Sequence, residues 1–375
     1  MIYLDYSANT PVDARVLEQF CAVERRCIGN ANSHHQAGSA AKAEIDAATI
    51  KIASLLGVQP AEIIYTSGAS EANNFALKGL ARLSRHAGRH IISTPLEHSS
   101  VSGTLTALQE QGYEIDLLDV KQDGTVDLEH LTDLLRPDTI CVAVTLVDSE
   151  LGVVQPVQEI AAILKAYPHC HLHVDATQAV GKIPVSFEGV DTMSLTAHKF
   201  YGLNGIGLLV KRRNLALEPL IHGGESTTIY RSGTPTVALA SSLACALDLA
   251  IIDLPNRVDH VAKLNAELRA ALSTYPLVRI NSPDHAIPHV LNLSVRNVKG
   301  TVFQRELDAK GVCVSVKSAC SSDGLPSRAV FAVSRDRRNA LSSWRISLSH
   351  LTTEDEIKAF LQAFDVCYRE LTALH

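Results

Sequence analysis

Three neighbouring residues near the middle of the chain, Thr196, His198 and Lys199, have side chains that could do chemistry together. They end the stretch 193–199, whose alternation of apolar and small residues predicts a buried strand. A lysine amine can form a Schiff base with an aldehyde, and a hydroxyl and an imidazole beside it can hold an anion. Packing alone gives no reason for a lysine at a strand end. The three residues therefore indicate a small molecule that carries both an aldehyde and an anionic group.

An acidic residue ends the strand predicted just upstream, His171–Asp175, and lies 24 residues before Lys199. A carboxylate favours the protonated form of a ring nitrogen that it contacts. Pyridoxal phosphate requires a lysine, an anion site and such a carboxylate, because its protonated ring serves as an electron sink. We therefore predict that pyridoxal 5'-phosphate binds here as a Schiff base on Lys199, with Asp175 at the ring nitrogen.

The turn after another predicted strand, Ile63–Thr66, is the candidate phosphate site. Small residues fill 67–74, and an apolar helix is predicted to begin near Phe75. Free backbone N–H groups and the helix dipole converge at such a helix N-terminus and bind anions. We place the phosphate against Ala69 and Ser70. An ordinary strand-to-helix turn is the alternative, and the turn taken by itself favours that alternative.

A cysteine in a polar loop near the C-terminal end, Cys320, is a candidate nucleophile. Small residues surround it, and Lys317 and Arg328 could favour its thiolate. An incidental surface thiol is an equally open interpretation. The other cysteines are scattered without a Cys-x-x-Cys pair, which predicts a reducing cytoplasm and neither a disulfide framework nor a structural zinc. The alternating histidines of 169–173 lack a completing ligand pattern, so we predict no metal site.

The bulk composition limits the classes of protein to which the chain can belong. It has 375 residues, of which 46% are apolar and 20% charged, and this fits a globular protein of two domains. The net charge of −6 and the lack of a long basic run argue against direct nucleic-acid binding. No stretch reaches the ~20 apolar residues that span a bilayer, and the first residues do not resemble a signal peptide. We therefore predict a cytoplasmic protein without membrane contact.

Strand and helix patterns alternate through the first two thirds of the chain. Strands are predicted at 63–66, 91–94, 115–118, 139–147, 171–175, 193–199 and 206–210. This alternation predicts a largely parallel, doubly wound sheet, in which ligands bind at the carboxyl ends of the strands. The polar residues singled out all lie at such ends: Ser70, His98, Asp175, Thr196, His198 and Lys199. An early helix is predicted from Asp13, with Val16, Leu17 and Phe20 on its apolar face.

The C-terminal third has a different pattern. Strands predicted at 290–295, 312–316 and 344–348, with helices between and after them, indicate a small α+β domain. Two helices are predicted before it, at about 236–252 and 256–275. Pro255 lies between them and is the plausible domain boundary.

The motifs together resemble those of a known family. They lie at 3–12, 29–30, 35–38, 65–74, 97–98, 173–178, 198–202, 231–235, 318–322 and 345–348. Over essentially its full length the chain resembles the cysteine desulfurases, pyridoxal-phosphate enzymes of the class V aminotransferase type that serve nitrogen fixation and iron–sulfur assembly. The resemblance implies the type I fold of pyridoxal-phosphate enzymes. A large domain, 14–254, would carry a mostly parallel mixed sheet, and a smaller α+β domain, 1–13 with 255–375, would carry the Cys320 loop and Arg345.

The resemblance also implies a role for each site residue. The cofactor ring would be held by Lys199 through the Schiff base, by Asp175 at its nitrogen, by Gln178 and Ser149 near its hydroxyl and by His98 stacked on it. The phosphate would be held by Ala69, Ser70, Thr196 and His198, and by Thr234 of a neighbouring subunit, which implies a homodimer. Arg345 would bind the carboxylate of L-cysteine. Lys199 and His98 would move protons, while Cys320 would take up the sulfur as a persulfide and pass it to an acceptor protein.

Four departures from the family pattern accompany this resemblance. Ser149 stands where an asparagine is usual, 225–228 replaces a glycine-containing motif, Lys317 replaces a glycine, and Leu203 with Asn204 replaces a proline-containing pair. Other functions stay open at this point. They are a selenocysteine lyase or an aminotransferase in which Cys320 is incidental, and a catalytically idle scaffold that binds a sulfur-carrier protein. The acceptor is equally open between an iron–sulfur scaffold and a thiolation enzyme.

Overall fold

The computed structural model describes residues 1–317 and 325–373. Its strands are β1 (Ile2–Tyr3), β2 (Ile63–Thr66), β3 (His90–Ser93), β4 (Glu114–Leu117), β5 (Thr139–Thr145), β6 (His171–Asp175), β7 (Thr192–Thr196), β8 (Gly207–Lys211), β9 (Val278–Ile280), β10 (Val290–Val295), β11 (Val312–Cys313) and β12 (Ser343–Ser347). Its helices are α1 (Ala14–Arg26), α2 (Gln36–Leu56), α3 (Ala69–Leu83), α4 (Ser99–Gln109), α5 (Leu128–Leu134), α6 (Val157–Leu164), α7 (Val237–Ile252), α8 (Leu254–Leu272), α9 (Gly300–Ala309), α10 (Arg328–Ser334), α11 (Arg337–Ser342) and α12 (Glu354–Thr372).

A seven-stranded mixed sheet organises the larger part of the chain. Its strand order is β2-β8-β7-β6-β5-β3-β4, and only β8 runs antiparallel to its neighbours. The strands β3, β5, β7 and β8 are buried along their whole length. Burial on both faces explains the nearly continuous apolar runs of β5 and β8. The prediction of a largely parallel sheet with helices on it is confirmed.

The register of the sheet brings the predicted site residues to one edge. Asp175 pairs with Thr145 on one side and Ser194 on the other, and Thr196 pairs with Gly207. Because β2, β3, β5, β6 and β7 share one direction, their carboxyl ends meet at this edge. The connection from β6 to β7 contains turns but no helix, so the strand–helix–strand rhythm predicted there is wrong.

A second apolar cluster lies outside that sheet. It joins Leu4 to residues of β10, β12, α8, α9 and α12, with Trp344 stacked on Phe303 at 5.1 Å between ring centroids. Two small sheets accompany it, β12-β10-β9 and β1-β11. Pro255 lies in the first turn of α8, where proline is tolerated because its missing N–H has no helical partner. The division into domains at residue 254 stays a prediction.

Three local predictions were wrong. The helix predicted near Phe75 begins at Ala69, because good helix formers already follow Gly68. Leu17 is 48% exposed, so the apolar face of α1 is narrower than the sequence suggested. The strand predicted at 312–316 ends at Cys313, after which Ser315 forms a single bridge with Arg345.

Within the described ranges no single helix has the length and apolar composition to cross a membrane, and α7 with α8, bent by 65°, meets that test only as a pair.

Candidate active site

A cavity of about 370 Å³ opens at the carboxyl edge of the seven-stranded sheet. It is lined by Ser7, Ala8, Ser67, Gly68, Ala69, Ser70, Glu71, Leu96, His98, Thr145, Ser149, Asp175, Thr177, Gln178, Thr196, His198, Lys199, Asn204, Gly205 and Arg345. Ten of the twelve site residues expected from the sequence are among them. Cys320 lies outside the described residues, and Thr234 is exposed and does not line the cavity.

Lys199 sits in a short turn that follows β7 and is braced by the N-terminal segment. Its Nζ donates hydrogen bonds to the carbonyls of Ser7 at 2.7 Å and Ala8 at 2.6 Å. Tyr201 has φ of 67°, a strained conformation for a residue with a side chain. The Thr10 hydroxyl accepts its N–H at 2.8 Å and donates to the His198 carbonyl at 2.9 Å. These bonds hold the turn and thereby fix the position of the amine.

The N-terminus of α3 lines the cavity. Ala69 and Ser70 belong to its first turn, where backbone N–H groups have no partner within the helix. His198 lies across from it, with Nδ1 3.0 Å from the Thr196 hydroxyl. Burial, and next the charge of Lys199, lower the pKa of His198 to about 4. A bound phosphate would favour the protonated imidazole and act against this shift.

The cavity is also lined by Asp175, whose side chain is 4% exposed. Its Oδ2 accepts a hydrogen bond from Asn73 at 2.8 Å, and its Oδ1 accepts the Thr177 N–H at 2.9 Å. Asn73 is itself fixed, because its Oδ1 accepts bonds from Ser194 at 2.5 Å and from His173 Nε2 at 3.0 Å. A carboxylate held this firmly can pair with a positive ring nitrogen without having to reorganise.

His98 is the N-cap residue of α4. Its Nδ1 accepts the Ser100 N–H at 3.1 Å and lies 2.8 Å from the Ser100 hydroxyl. A backbone N–H donor at Nδ1 places the hydrogen of the neutral ring on Nε2. Burial lowers the pKa of His98, while the nearby charge of Asp175 raises it by a smaller amount. The imidazole is therefore neutral near pH 7 and carries its N–H on the nitrogen away from the helix.

Arg345 provides positive charge at the third side of the cavity and is 1% exposed. Its Nη2 donates to Asp5 at 2.8 Å, and its Nη1 donates to the Ser149 carbonyl at 2.7 Å. Its Nε is buried and has no hydrogen-bond acceptor among the described residues. The guanidinium is thus oriented by two contacts and retains a donor for an incoming carboxylate.

Buried carboxyl groups surround this side of the cavity. Burial raises the pKa of Glu97 to about 8 and that of Asp148 to about 7. Glu97 accepts the Thr94 hydroxyl and the Thr145 N–H on Oε1, both at 2.8 Å, while its Oε2 has no partner in 1–317 or 325–373. The protonated form of Glu97 is therefore favoured near neutral pH, while Asp148 is divided between its two forms, so the pair carries less negative charge than two ionised carboxylates would.

Comparison with known proteins identifies the group that shares this arrangement. The model of the aminotransferase class-V family matches residues 2–360. The cysteine desulfurase IscS of Proteus mirabilis is 40% identical over 365 residues, which cover 95% of this chain and 90% of that protein. The chain belongs to the class V aminotransferase family, among its NifS/IscS-like cysteine desulfurases.

Solved structures of similar proteins agree in fold. A NifS-like protein with 35% identity superposes with a TM-score of 0.92 over 99% of both chains. A structure described as SspA in complex with cysteine, with 30% identity, gives a TM-score of 0.83 over 94% of this chain and 100% of that one. Desulfurases of this family depend on pyridoxal phosphate, so the cavity can be tested for its fit to that cofactor.

The cavity of this desulfurase homologue fits the cofactor in its donor set. An amine, a buried carboxylate and a helix N-terminus lie around one space, as an aldehyde, a pyridine nitrogen and a phosphate on one ring require. The hydroxyls of Ser7 and Thr177 line it, are buried, and have no partner among the described residues. Such orphaned buried hydroxyls are uncommon unless a ligand or water satisfies them.

Several residues of the cavity were not predicted from the sequence. The Ser7 and Ala8 carbonyls reach Lys199 from 192 and 191 residues away, and Asn73 reaches Asp175 across 102. Helical spacing could have pointed to Asn73, since it lies three residues after Ser70 on the same helix. Ser7 and Ala8 act through backbone carbonyls, which leave no signal in side-chain type.

Proposed function

We propose that this protein is a pyridoxal-phosphate-dependent L-cysteine desulfurase, which forms L-alanine and passes the sulfur through Cys320 to an acceptor protein. The observation that carries the proposal is the convergence of Lys199, Asp175, the α3 N-terminus and Arg345 on one cavity. The relative solved as a complex with cysteine supports the choice of substrate.

The proposed reaction balances without an outside oxidant or reductant. The Cβ–S bond of L-cysteine breaks and an S–S bond forms on the sulfur of Cys320. The substrate Cβ gains a proton and becomes the methyl group of L-alanine. A second thiol, on the acceptor protein, then takes the outer sulfur from the Cys320 persulfide by thiol exchange.

Different cavity residues hold different parts of the cofactor. Ala69, Ser70, Thr196 and His198 hold the phosphate, Asp175 holds the ring nitrogen in its protonated form, and Gln178 and Ser149 lie toward the ring hydroxyl. When bound, pyridoxal phosphate supplies an electron sink for the bonds around the substrate Cα. Lys199 anchors the cofactor covalently.

Two residues are placed to handle protons. Lys199 lines the cavity, and its amine donates hydrogen bonds to the Ser7 and Ala8 carbonyls, so we assign it one of the proton transfers. His98, neutral because it is buried, carries its hydrogen on Nε2 and can donate it toward the reacting groups. Arg345 orients the substrate by binding its carboxylate in a fork.

The quaternary structure and location complete the proposal. The protein works as a homodimer in which Thr234 reaches the cofactor phosphate of the partner subunit. In its own subunit, the segment that carries Thr234 is tied to the cavity rim by an ion pair of 3.0 Å between Arg231 and Glu71. The scattered cysteines of the sequence support a reducing cytoplasm as its location.

The test compares the wild type with Cys320→Ser and, as a matched control, with Cys21→Ser on α1. We expect a yellow protein that releases L-alanine and, with a thiol reductant, sulfide from L-cysteine. Both products should fall at least about 100-fold in Cys320→Ser, because the sulfur has no acceptor there, and should be unchanged in Cys21→Ser. Equal sulfide release without Cys320 would contradict the proposal and favour a selenocysteine lyase or an aminotransferase. A protein that stays colourless with added cofactor would favour a scaffold.

A further inference from the structure

Lys182 is a buried lysine beside the cavity that the proposed chemistry does not use. It is 6% exposed and lies in the turns that follow β6, four residues after Gln178. Its Nζ donates a hydrogen bond of 2.5 Å to Oε1 of Gln178. It does not line the large cavity but a small enclosed space behind Lys199. Lys182 therefore acts on the cavity through Gln178 and not by direct contact.

The two partners of Gln178 determine the orientation of its amide completely. The Lys182 amine is the donor in this contact, so the group that faces it is the amide oxygen of Gln178. On the other side, Nε2 of Gln178 donates to the Ser7 carbonyl at 2.9 Å. Because an NH₂ group has two hydrogens, one remains for the cavity that Gln178 lines. Rotation of the amide by half a turn would place its NH₂ group against the Lys182 amine and its oxygen against the Ser7 carbonyl oxygen.

Burial of the Lys182 amine has a free-energy cost that a residue without a function would not need. Burial, and next the charges of Lys199 and Arg345, lower its pKa to about 7. All three of these causes disfavour the charged form of the amine. A buried apolar side chain would avoid this cost. The one strong contact of the amine with Gln178 is therefore the feature that explains a lysine here.

We propose that Lys182 is a positioning residue that holds the Gln178 amide so that its N–H faces the ring oxygen of the bound cofactor. The proposal rests on the proposed function, because it requires pyridoxal phosphate in the cavity. A hydrogen bond donated to that oxygen stabilises its negative charge and weakens its hold on the proton that it shares with the Lys199 nitrogen. Lys182 thus lowers the pH at which the cofactor-loaded protein loses this proton.

The experiment follows the visible absorbance of the cofactor-loaded protein against pH. In Lys182→Met the pH midpoint should rise by about half to one unit, since a net hydrogen bond of this kind corresponds to a shift of that size. Gln178→Ala should give the same rise, and the double variant should show no further rise, because both changes remove one contact. Lys182→Gln, which retains an N–H donor without the charge, should stay near the wild-type midpoint.

Lys211 offers a matched control for the loss of a buried lysine. It is 2% exposed at the far end of β8, and its Nζ donates to the Leu215 carbonyl at 2.7 Å. Lys211→Met should lower the thermal midpoint of unfolding but leave the absorbance midpoint unchanged. The dissociation constant of each cofactor-free variant for pyridoxal 5'-phosphate, measured by equilibrium dialysis, should rise about three- to tenfold for Lys182→Met and Gln178→Ala only.

Each remaining outcome has one meaning. A rise of the absorbance midpoint that persists when Lys182→Met is added to Gln178→Ala would overturn the proposal, because the lysine would act through its charge. A Lys182→Gln variant that behaves like Lys182→Met would overturn it for the same reason. Unchanged midpoints in Lys182→Met would reduce Lys182 to a structural role. A wild type that binds no cofactor would instead contradict the proposed function.

Discussion

Burial shifts proton equilibria throughout the site toward neutral groups. The pKa of Glu97 rises to about 8, while the pKa values of His198 and Lys182 fall to about 4 and about 7. Desolvation is the largest cause in each case, and it disfavours the charged form of acids and bases alike. Arg345 keeps its charge in this setting because a guanidinium does not titrate in proteins. The site therefore combines the cation of Arg345 with neighbouring groups whose charged forms are disfavoured by burial.

Glu97→Gln should remove a pH-dependent loss of stability. The folded pKa of about 8 lies above the ordinary value of 4.5, so between these values the folded protein keeps a proton that the unfolded chain releases. Stability contributed by this group is therefore lost as pH rises from about 4.5 to 8. Between pH 5.5 and 7.5 the variant should gain about 1–3 kcal/mol relative to the wild type in free energy of unfolding, measured with denaturant.

The amide that this substitution introduces can still accept the Thr94 and Thr145 contacts through its oxygen, so packing should be retained. The exposed Glu110→Gln serves as the control and should show the same pH dependence as the wild type. If Glu97→Gln and the wild type lose stability in parallel between pH 5.5 and 7.5, Glu97 is ionised in the folded protein.

Arg345→Lys should weaken the use of L-cysteine while leaving the cofactor in place. A lysine lacks the planar fork and cannot hold Asp5, the Ser149 carbonyl and a substrate carboxylate together. We expect kcat/KM to fall about 10- to 100-fold, since a hydrogen bond to a charged group is worth about 1.5–3 kcal/mol. The visible spectrum should be retained, and the exposed Arg279→Lys should match the wild type. Unchanged kcat/KM in Arg345→Lys would remove this residue from substrate binding.

At the scale of elements, Gly68 at the start of α3 allows a test of the predicted phosphate site. Gly68 has φ of 154°, and a Cβ added there would lie 3.4 Å from the Thr196 hydroxyl. Gly68→Ala should therefore cost about 1–3 kcal/mol through backbone strain and weaken binding of pyridoxal 5'-phosphate. Gly103→Ala, inside α4 with open space around it, should instead stabilise the protein by about 0.4–1 kcal/mol. Equilibrium dialysis measures the cofactor affinity of the two variants, and denaturation measures their free energy of unfolding. Equal cofactor affinity in Gly68→Ala and the wild type would exclude this turn as the phosphate site.

The sequence predicted the elements whose signals are local. Long buried runs such as Thr139–Thr145 predicted central strands, and polar residues at their ends predicted the edge where the cavity lies. Local patterns of this kind did not predict that β8 runs antiparallel or that no helix connects β6 to β7. They depend on which strands pair across the whole sheet, and neither changes the local apolar pattern.

The site residues also divide into those with a local signal in the sequence and those that depend on the whole fold. Lys199 and Asp175 carry distinctive functional groups, so their types and order along the chain pointed to them, while Arg345 was predicted from the family resemblance. Helical spacing brings Asn73 near the site but does not identify its partner, and Lys182 has no signal at all, because the contacts of both residues exist only in the fold. An asparagine on an apolar helix or a lysine after a strand has many structural explanations until its partner is known.

At the scale of the whole molecule, the proposed homodimer predicts complementation between two inactive variants. Thr234→Asp places a negative charge where the partner's cofactor phosphate binds, so its homodimer should load cofactor poorly. Lys199→Ala should be inactive because it lacks the anchoring amine. In a mixed dimer of the two, one site combines an intact Lys199 with an intact Thr234 from the other subunit. That dimer should regain about half of the wild-type activity and cofactor content.

The design of the mixed dimer separates contribution across the interface from contribution within a subunit. Differently tagged copies are co-expressed and the mixed species is isolated by two affinity steps, then assayed for L-alanine release and visible absorbance. If Thr234 acts within its own subunit, the site with an intact Lys199 still carries the aspartate and the mixed dimer stays inactive. A monomeric wild type in solution would also contradict the prediction. Half-restored activity requires both a dimer and a site built from two chains, because no single subunit in the mixture carries both intact residues.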